Sequence, residues 1–293
     1  MNIAGSFQLG FIYALLALGI YIAFRVMNTP DLTADGSFTL GLCVSAMFTV
    51  AGHPFLGLLA GLVSGAAAGL ITGLLQTLGG IHPILAGILT MTGLYSINLV
   101  AMAGSPNVSL IGENTLFSLA QELFGFANRQ IIRLAVPLLL CVLLTALLAW
   151  FFKTGLGLMI RATGNNEKMV RASSINGSVM RVTAIAAANG FIGLSGAVLA
   201  QYQGYADINA GSGMVIIGLA SVIIGETFMH PRSIGTGLLS AALGAVIYRI
   251  IIAFVLYLNF LPAYMLKFLS AVIVAVALCA PKIQNLIKRG HHA

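Results

Sequence analysis

The sequence predicts an all-α, polytopic membrane protein of about nine spans arranged as two inverted repeats. Three observations carry the prediction. First, 59% of the 293 residues are hydrophobic and 7% are charged, with a mean hydropathy of +1.02. Soluble domains carry about 25% charged residues, so this chain has too little polar surface to face water on every side. Second, the stretch from Gly36 to Gly112 contains no Asp, Glu, Lys or Arg. That length accommodates three crossings at about 20 residues each. Third, segments of the first half recur in the second at a nearly constant offset. Asp31 matches Asp207, His53-Pro54 matches His230-Pro231, and Pro83 matches Pro262.

The apolar segments run roughly 5–25, 33–50, 54–79, 83–103, 131–152, 179–201, 212–227, 234–258 and 263–281. The first lacks a basic leader and a small-residue cleavage site, so it reads as a retained span and not a signal peptide. The second and seventh are short and follow polar, glycine-bearing stretches, the signature of half-buried or broken helices. Gly61, Gly65, Gly69 and Gly73 recur every four residues on one face of the third. Such a stripe lets another backbone approach closely, from within the subunit or across a dimer. The chain divides as one membrane domain: repeat one over about 5–103, an extra span at 131–152, a polar insert at 153–178, and repeat two over about 179–281. Five spans separate equivalent segments, so the copies face opposite ways, an arrangement common in transporters.

Charge sets the orientation. The insert holds Lys153, Arg161, Lys168 and Arg171, with Arg181 just beyond, against Glu167 alone. Basic loops stay in the cytoplasm. Counting spans outward puts Arg25, Arg232, Lys282, Lys288 and Arg289 on the same side, ten of the fourteen basic residues in all. The N-terminus is then external, and so is the loop 104–130. The net charge of +7 thus reads as topology facing anionic lipid, with no need to invoke nucleic acid. Cys43, Cys141 and Cys279 stand singly in apolar runs and suggest neither disulfides nor metal. His53, His82 and His230 read as span-end residues, and no metal site is expected.

Two regions carry candidate chemistry. Ionisable residues near the membrane are functional candidates. Asp31 and Asp35 fall at the inner mouth beside Arg25, and Asp207 at the outer mouth. Thr33, Ser37 and Thr39 accompany the acids ahead of a short helix whose N-terminal amides suit a polar ligand. These residues line a substrate path, or Asp31 caps the helix and pairs with Arg25. Arg249 snorkels outward or faces that path. In the insert, Gly164 interrupts a helical pattern, Asn165 or Asn166 caps a second short helix, and Gly177 ends it in a left-handed turn. That exposes Met169 and Val170 among Arg161, Lys168 and Arg171, an apolar pair in a charged rim that suits a protein partner. The competing reading is a topogenic loop with no partner.

The pattern Arg161-Ala162-Thr163-Gly164-Asn165-Asn166 followed by Ala172-Ser173-Ser174-Ile175-Asn176 resembles the ATPase-docking loop of the branched-chain amino acid and sugar permease superfamily of ABC importers. Pro30-Asp31-Leu32-Thr33 with Asp35-Gly36-Ser37-Phe38 is similar to the tryptophan/tyrosine branch. So are Leu85–Thr92 with Leu94–Leu99, and Gly244 with Ile247-Tyr248-Arg249. Met265 stands where that branch has an acid before Leu266-Lys267. The resemblance implies a fold similar to the cobalamin importer permease, in the bacterial inner membrane. It implies docking through Arg161–Asn166, Lys168–Ser173 and Asn176, and adds Thr92 and Asn98 to the path. It also implies a second permease copy, two ATPases that hold ATP and magnesium, an external binding protein, and an amino acid substrate, aromatic for choice.

No G-x-x-x-x-G-K-[ST] loop occurs, so this chain holds no nucleotide and needs no cofactor of its own. No nucleophile and base converge within a span, which argues against an enzyme. The remaining rival is a gradient-driven transporter, which would need an acid at mid-membrane; none is expected there.

Overall fold

The computed structural model describes residues 3–257 apart from 124, 126 and 127, then only 265, 268, 271, 272 and 275; of Ile3 and Arg171 it describes the backbone alone. The expected ninth span lies outside these residues apart from those five positions, and Pro262, Lys267, Cys279 and the basic C-terminus lie outside them as well.

Helix α1 (Ile3–Tyr21) runs into a π-helical turn at Ile22–Val26. It is followed by α2 (Thr33–Val50), α3 (Pro54–Thr77) and α4 (Pro83–Ala101). Pro54 and Pro83 each open their helix, with His53 and His82 at the caps. Proline suits that position because its missing N–H has no intrahelical partner there. The loop from 104 holds structure that periodicity did not predict: strand β1 (Asn107–Ser109) and helix α5 (Leu116–Leu123). Then come α6 (Arg129–Phe151), α7 (Gly155–Asn165), α8 (Glu167–Ala172) and α9 (Gly177–Gln203), strand β2 (Tyr205–Asp207), α10 (Met214–Met229) and α11 (Ile234–Tyr257). Among the described residues seven helices are long and apolar enough to cross a membrane, and α10 is a shorter apolar one.

Helix α9 is the central post. Its N-terminus is capped by Asn176, which accepts from Ser178 N and Val179 N, and its C-terminus by left-handed Gly204. Helices α2 and α3 pack on α9, while α10 and α11 pack on α1, and α1 joins the two groups through α9. The glycine stripe of α3 faces α9 within the same chain. Gly61 meets Ala197, Gly65 meets Asn189 and Gly193, Gly69 meets Ile185, and Gly73 meets Val182. Gly41 of α2 lies on the backbone of Gly193. Three backbones therefore touch where a single Cβ would separate them. At the end that carries the 104–130 loop, β1 pairs antiparallel with β2, Asn107 opposite Asp207.

Candidate functional site

The entry to α2 is the most elaborate polar structure in the chain. After the π turn the backbone takes a positive φ at Asn28, and Pro30 forbids a helix until the chain has turned. Asp31 Oδ1 then accepts from Thr33 N at 2.9 Å, and its Oδ2 accepts from Asn189 Nδ2 at 2.6 Å. Asn189 sits near the middle of α9, so Asp31 lies deep and not at the inner mouth, and it is 1% exposed. An acid does therefore stand at mid-span depth, contrary to the sequence expectation. Nor does Arg25 pair with it: Arg25 donates to Glu226 at the end of α10. Thr33 Oγ1 meets Thr72 Oγ1 at 2.8 Å, and Thr72 donates to Thr90 at 2.9 Å, which ties α2 to α3 and α4.

Asp35 reaches another helix start. Its carboxylate accepts from Gly213 N at 2.9 Å and Val215 N at 2.8 Å. These are amides of the first turn of α10, which have no intrahelical partner and favour negative charge. The N-termini of α2 and α10 thus meet through one side chain. Beside it lies a cavity of about 250 Å3, lined by Asp35, Thr39, Thr92, Tyr95, Asn98, Asn209 and Ser212. Thr39 donates to the Asp35 carbonyl and Thr92 to that of Ile88. Asn98 is 2% exposed, and its Oδ1 is buried without a hydrogen-bond partner; a group in that state needs a ligand or water.

Four of the sequence-predicted path residues, Asp35, Thr39, Thr92 and Asn98, line this cavity. Asp31 and Thr33 belong to the buried network at the entry to α2. Ser37 is fully buried in α2. Asp207 accepts from Asn209 N at 2.6 Å and lines a separate cavity with Tyr13 and Tyr205. Arg249 stacks 5.0 Å over the Tyr13 ring of α1, neither snorkelling freely nor lining the larger cavity. Sequence reading missed Tyr95, Asn209, Ser212, Asn189 and Glu226. Asn189, an amide inside an apolar span, and Glu226, an acid inside another, had a visible signal. Among the described residues no three His, Cys, Asp or Glu side chains cluster.

The polar insert folds as α7 and α8, and three details differ from expectation. Gly164 does not interrupt a helix; it lies within α7, where its Cα presses on the Val26 carbonyl and Met27. Asn166, one of the two expected caps, does cap α8, accepting from Met169 N at 3.1 Å. The left-handed residue is Ser174 (φ 59°), while Gly177 begins α9. Met169 is 57% exposed but Val170 is 1% exposed, so only Met169 of the expected apolar pair reaches the surface. Arg161, Asn165, Asn166, Lys168, Ala172, Ser173 and Asn176 are exposed, Ala162 is half-buried, and Thr163 is buried, donating to Met159 O. Glu167 accepts from Arg181 at 2.6 Å.

The family described as "branched-chain amino acid transport system / permease component" matches residues 2–278. The chain belongs to that family. It is 33% identical over 95% of its length to a tyrosine transport system permease protein of Clostridioides difficile, covering 90% of that protein. It is 26% identical over 80% of its length to the ribose import permease protein RbsC of Escherichia coli, covering 73% of it. The solved structure of PsaBC from Streptococcus pneumoniae in complex with Fab shares the fold, at a TM-score of 0.53 and 12% identity over 94% of this chain and 91% of that one. This permease is therefore a multi-pass inner-membrane component of an ABC import system and not an enzyme. Such a component implies an ATPase and a substrate-binding partner.

Proposed function

We propose that this permease carries an amino acid, aromatic for preference, through the cavity at Asp35, Thr92, Tyr95 and Asn98. The single observation that carries the reading is the unpartnered Asn98 Oδ1 in a wall that also presents Thr92 and an exposed Tyr95 ring. An amide oxygen accepts from an ammonium group, and an aromatic face suits an aromatic side chain. The similarity to a tyrosine transport system permease points the same way.

The halves 5–103 and 179–281 act as inverted repeats. Supporting this, Asp31 and Asp207 make the same turn ahead of α2 and α10, and α3 packs on α9 as α11 packs on α1. The N-terminus is external, and α7 with α8 is cytoplasmic, docking into a separate ATPase through Met169 in its rim of Arg161 and Lys168. Two copies of this chain, two ATPases with ATP and magnesium, and an external binding protein make the transporter. ATP-driven closure of the ATPases moves the docking helices, and access to the cavity switches. Each ligand shifts that balance only by its difference in affinity for the two states.

A gradient-driven transporter would use Asp31. Both of its carboxylate oxygens already accept hydrogen bonds, and among the described residues no cation pairs with it, which makes it an anchor and not a carrier. The decisive experiment is uptake of labelled tyrosine and tryptophan by the permease reconstituted with its ATPase and binding protein. Uptake should require ATP and survive a protonophore. Asn98→Ala should cut it about tenfold, as expected for about 1.4 kcal/mol of lost polar contact, with ATPase binding intact. Met169→Asp should instead abolish ATPase co-purification, since a carboxylate buried at such a contact costs several kcal/mol. Uptake that follows the proton gradient and ignores ATP would refute the proposal.

A further inference from the structure

A groove of about 820 Å3 runs between α6 and α11, with Phe11 of α1 between them. Leu138 and Val142 form one wall, Leu239 and Leu243 the other, and all four are exposed. At one end the apolar lining gives way to Lys153, Arg161 and Arg232. Among the described residues no acid lines the groove. Glu226, on the adjoining surface, is held by Arg25. From Leu138 to Lys153 the chain rises about 20 Å at 1.5 Å per residue, more than one leaflet of a roughly 30 Å hydrocarbon core. The trough is therefore long enough for an acyl chain, and its cations stand where a headgroup would be.

The geometry points to a binding site for an anionic phospholipid: the phosphate held by Lys153, Arg161 and Arg232, and an acyl chain lying between α6 and α11. Three cations that share their groove with no acid among the described residues, the adjoining Glu226 being held by Arg25, are complementary to phosphate, and basic pockets between membrane helices at the headgroup level take acidic lipids. A zwitterionic lipid would bring its own ammonium to the same lip. A second copy of this chain, related by a two-fold axis through the groove, would bring three more cations to the same edge.

The test is native mass spectrometry of the full-length permease, purified in mild detergent and titrated with phosphatidylglycerol or phosphatidylcholine. The unaltered protein should hold phosphatidylglycerol selectively. The double variant Lys153→Gln/Arg232→Gln should weaken that binding about 25-fold, about fivefold for each cation near an acidic headgroup, and remove the selectivity. Leu239→Trp, which fills the trough and keeps every charge, should weaken binding of the same lipid, while Arg129→Gln at the far end of α6 should leave it unchanged. Unaltered selectivity in the double variant overturns the proposal. So does competition by inorganic phosphate, which would mean an anion site without a lipid. Disulfide cross-linking between two copies carrying Leu239→Cys overturns it as well, by placing a protein in the groove.

Discussion

Asp31 and Asp207 each fold a carboxylate back over the amide two residues on, Thr33 N in one case and Asn209 N in the other. The first is sealed from solvent and also takes the Asn189 amide; the second is half-buried beside a cavity of about 190 Å3. The surroundings explain the difference. At the repeat offset, Asn189 corresponds to Tyr13 and Thr72 to Arg249, which stack on each other instead of bonding to the turn. The stripe Gly61, Gly65, Gly69 and Gly73 corresponds to Leu238, Ala242, Val246 and Ile250. The first half therefore closes α3 on α9 through the glycines of the stripe itself, while the second carries side chains at those positions and makes its close backbone contacts elsewhere, at Gly10, Gly225 and Gly244. The two turns share a local geometry, and the packing around each decides whether it anchors the fold or stands open.

Four substitutions would break or sharpen this contrast. The largest effect is expected from Gly65→Leu, which drives a side chain into the Asn189 and Gly193 backbone. Overpacking of this kind costs about 3 kcal/mol or more, and the protein should fail to reach the membrane in folded form. Ala242→Leu, at the corresponding place, should cost visibly less when both are compared by thermal unfolding in detergent. Next comes Asp31→Leu. Leaving the buried Asn189 amide with the Ile185 carbonyl as its one remaining acceptor costs about 1–3 kcal/mol, so the unfolding midpoint should fall clearly. An unchanged midpoint would remove Asp31 from the anchors of the fold. The smallest effect belongs to Asp207→Asn, whose amide oxygen still accepts from Asn209 N. Stability should stay within about 0.5 kcal/mol, and a loss as large as that of Asp31→Leu would erase the distinction between the two turns.

Helix starts at Pro54 and Pro83 were legible because proline and histidine interrupt apolar runs at span ends. The path residues were legible only as a set. Asp35 and Thr39 come from α2 and Thr92 and Asn98 from α4, and nothing in the sequence says that the two helices share this wall while Asp31 and Ser37 stay out of it. Partner choice was illegible for the same reason. Arg25 finds Glu226 across 201 positions, and Asp31 finds Asn189 across 158, pairings that the packing of α1, α9 and α10 creates. Val170 was misread as exposed because the six residues of α8 are too few for periodicity to assign an inner face. Gly164 was misread because a glycine in a helix signals a break or a close contact equally well.

That close contact has a mechanical side. At Gly164 the backbone of α7 rests on the Val26 carbonyl and Met27, just beyond the arginine that ties α1 to α10. Side chains absorb small displacements by changing rotamer; a peptide group resting on a Cα has no such slack. Whatever shifts α7 therefore shifts the π turn by nearly the same amount, and with it the short span of chain that leads to Asp31.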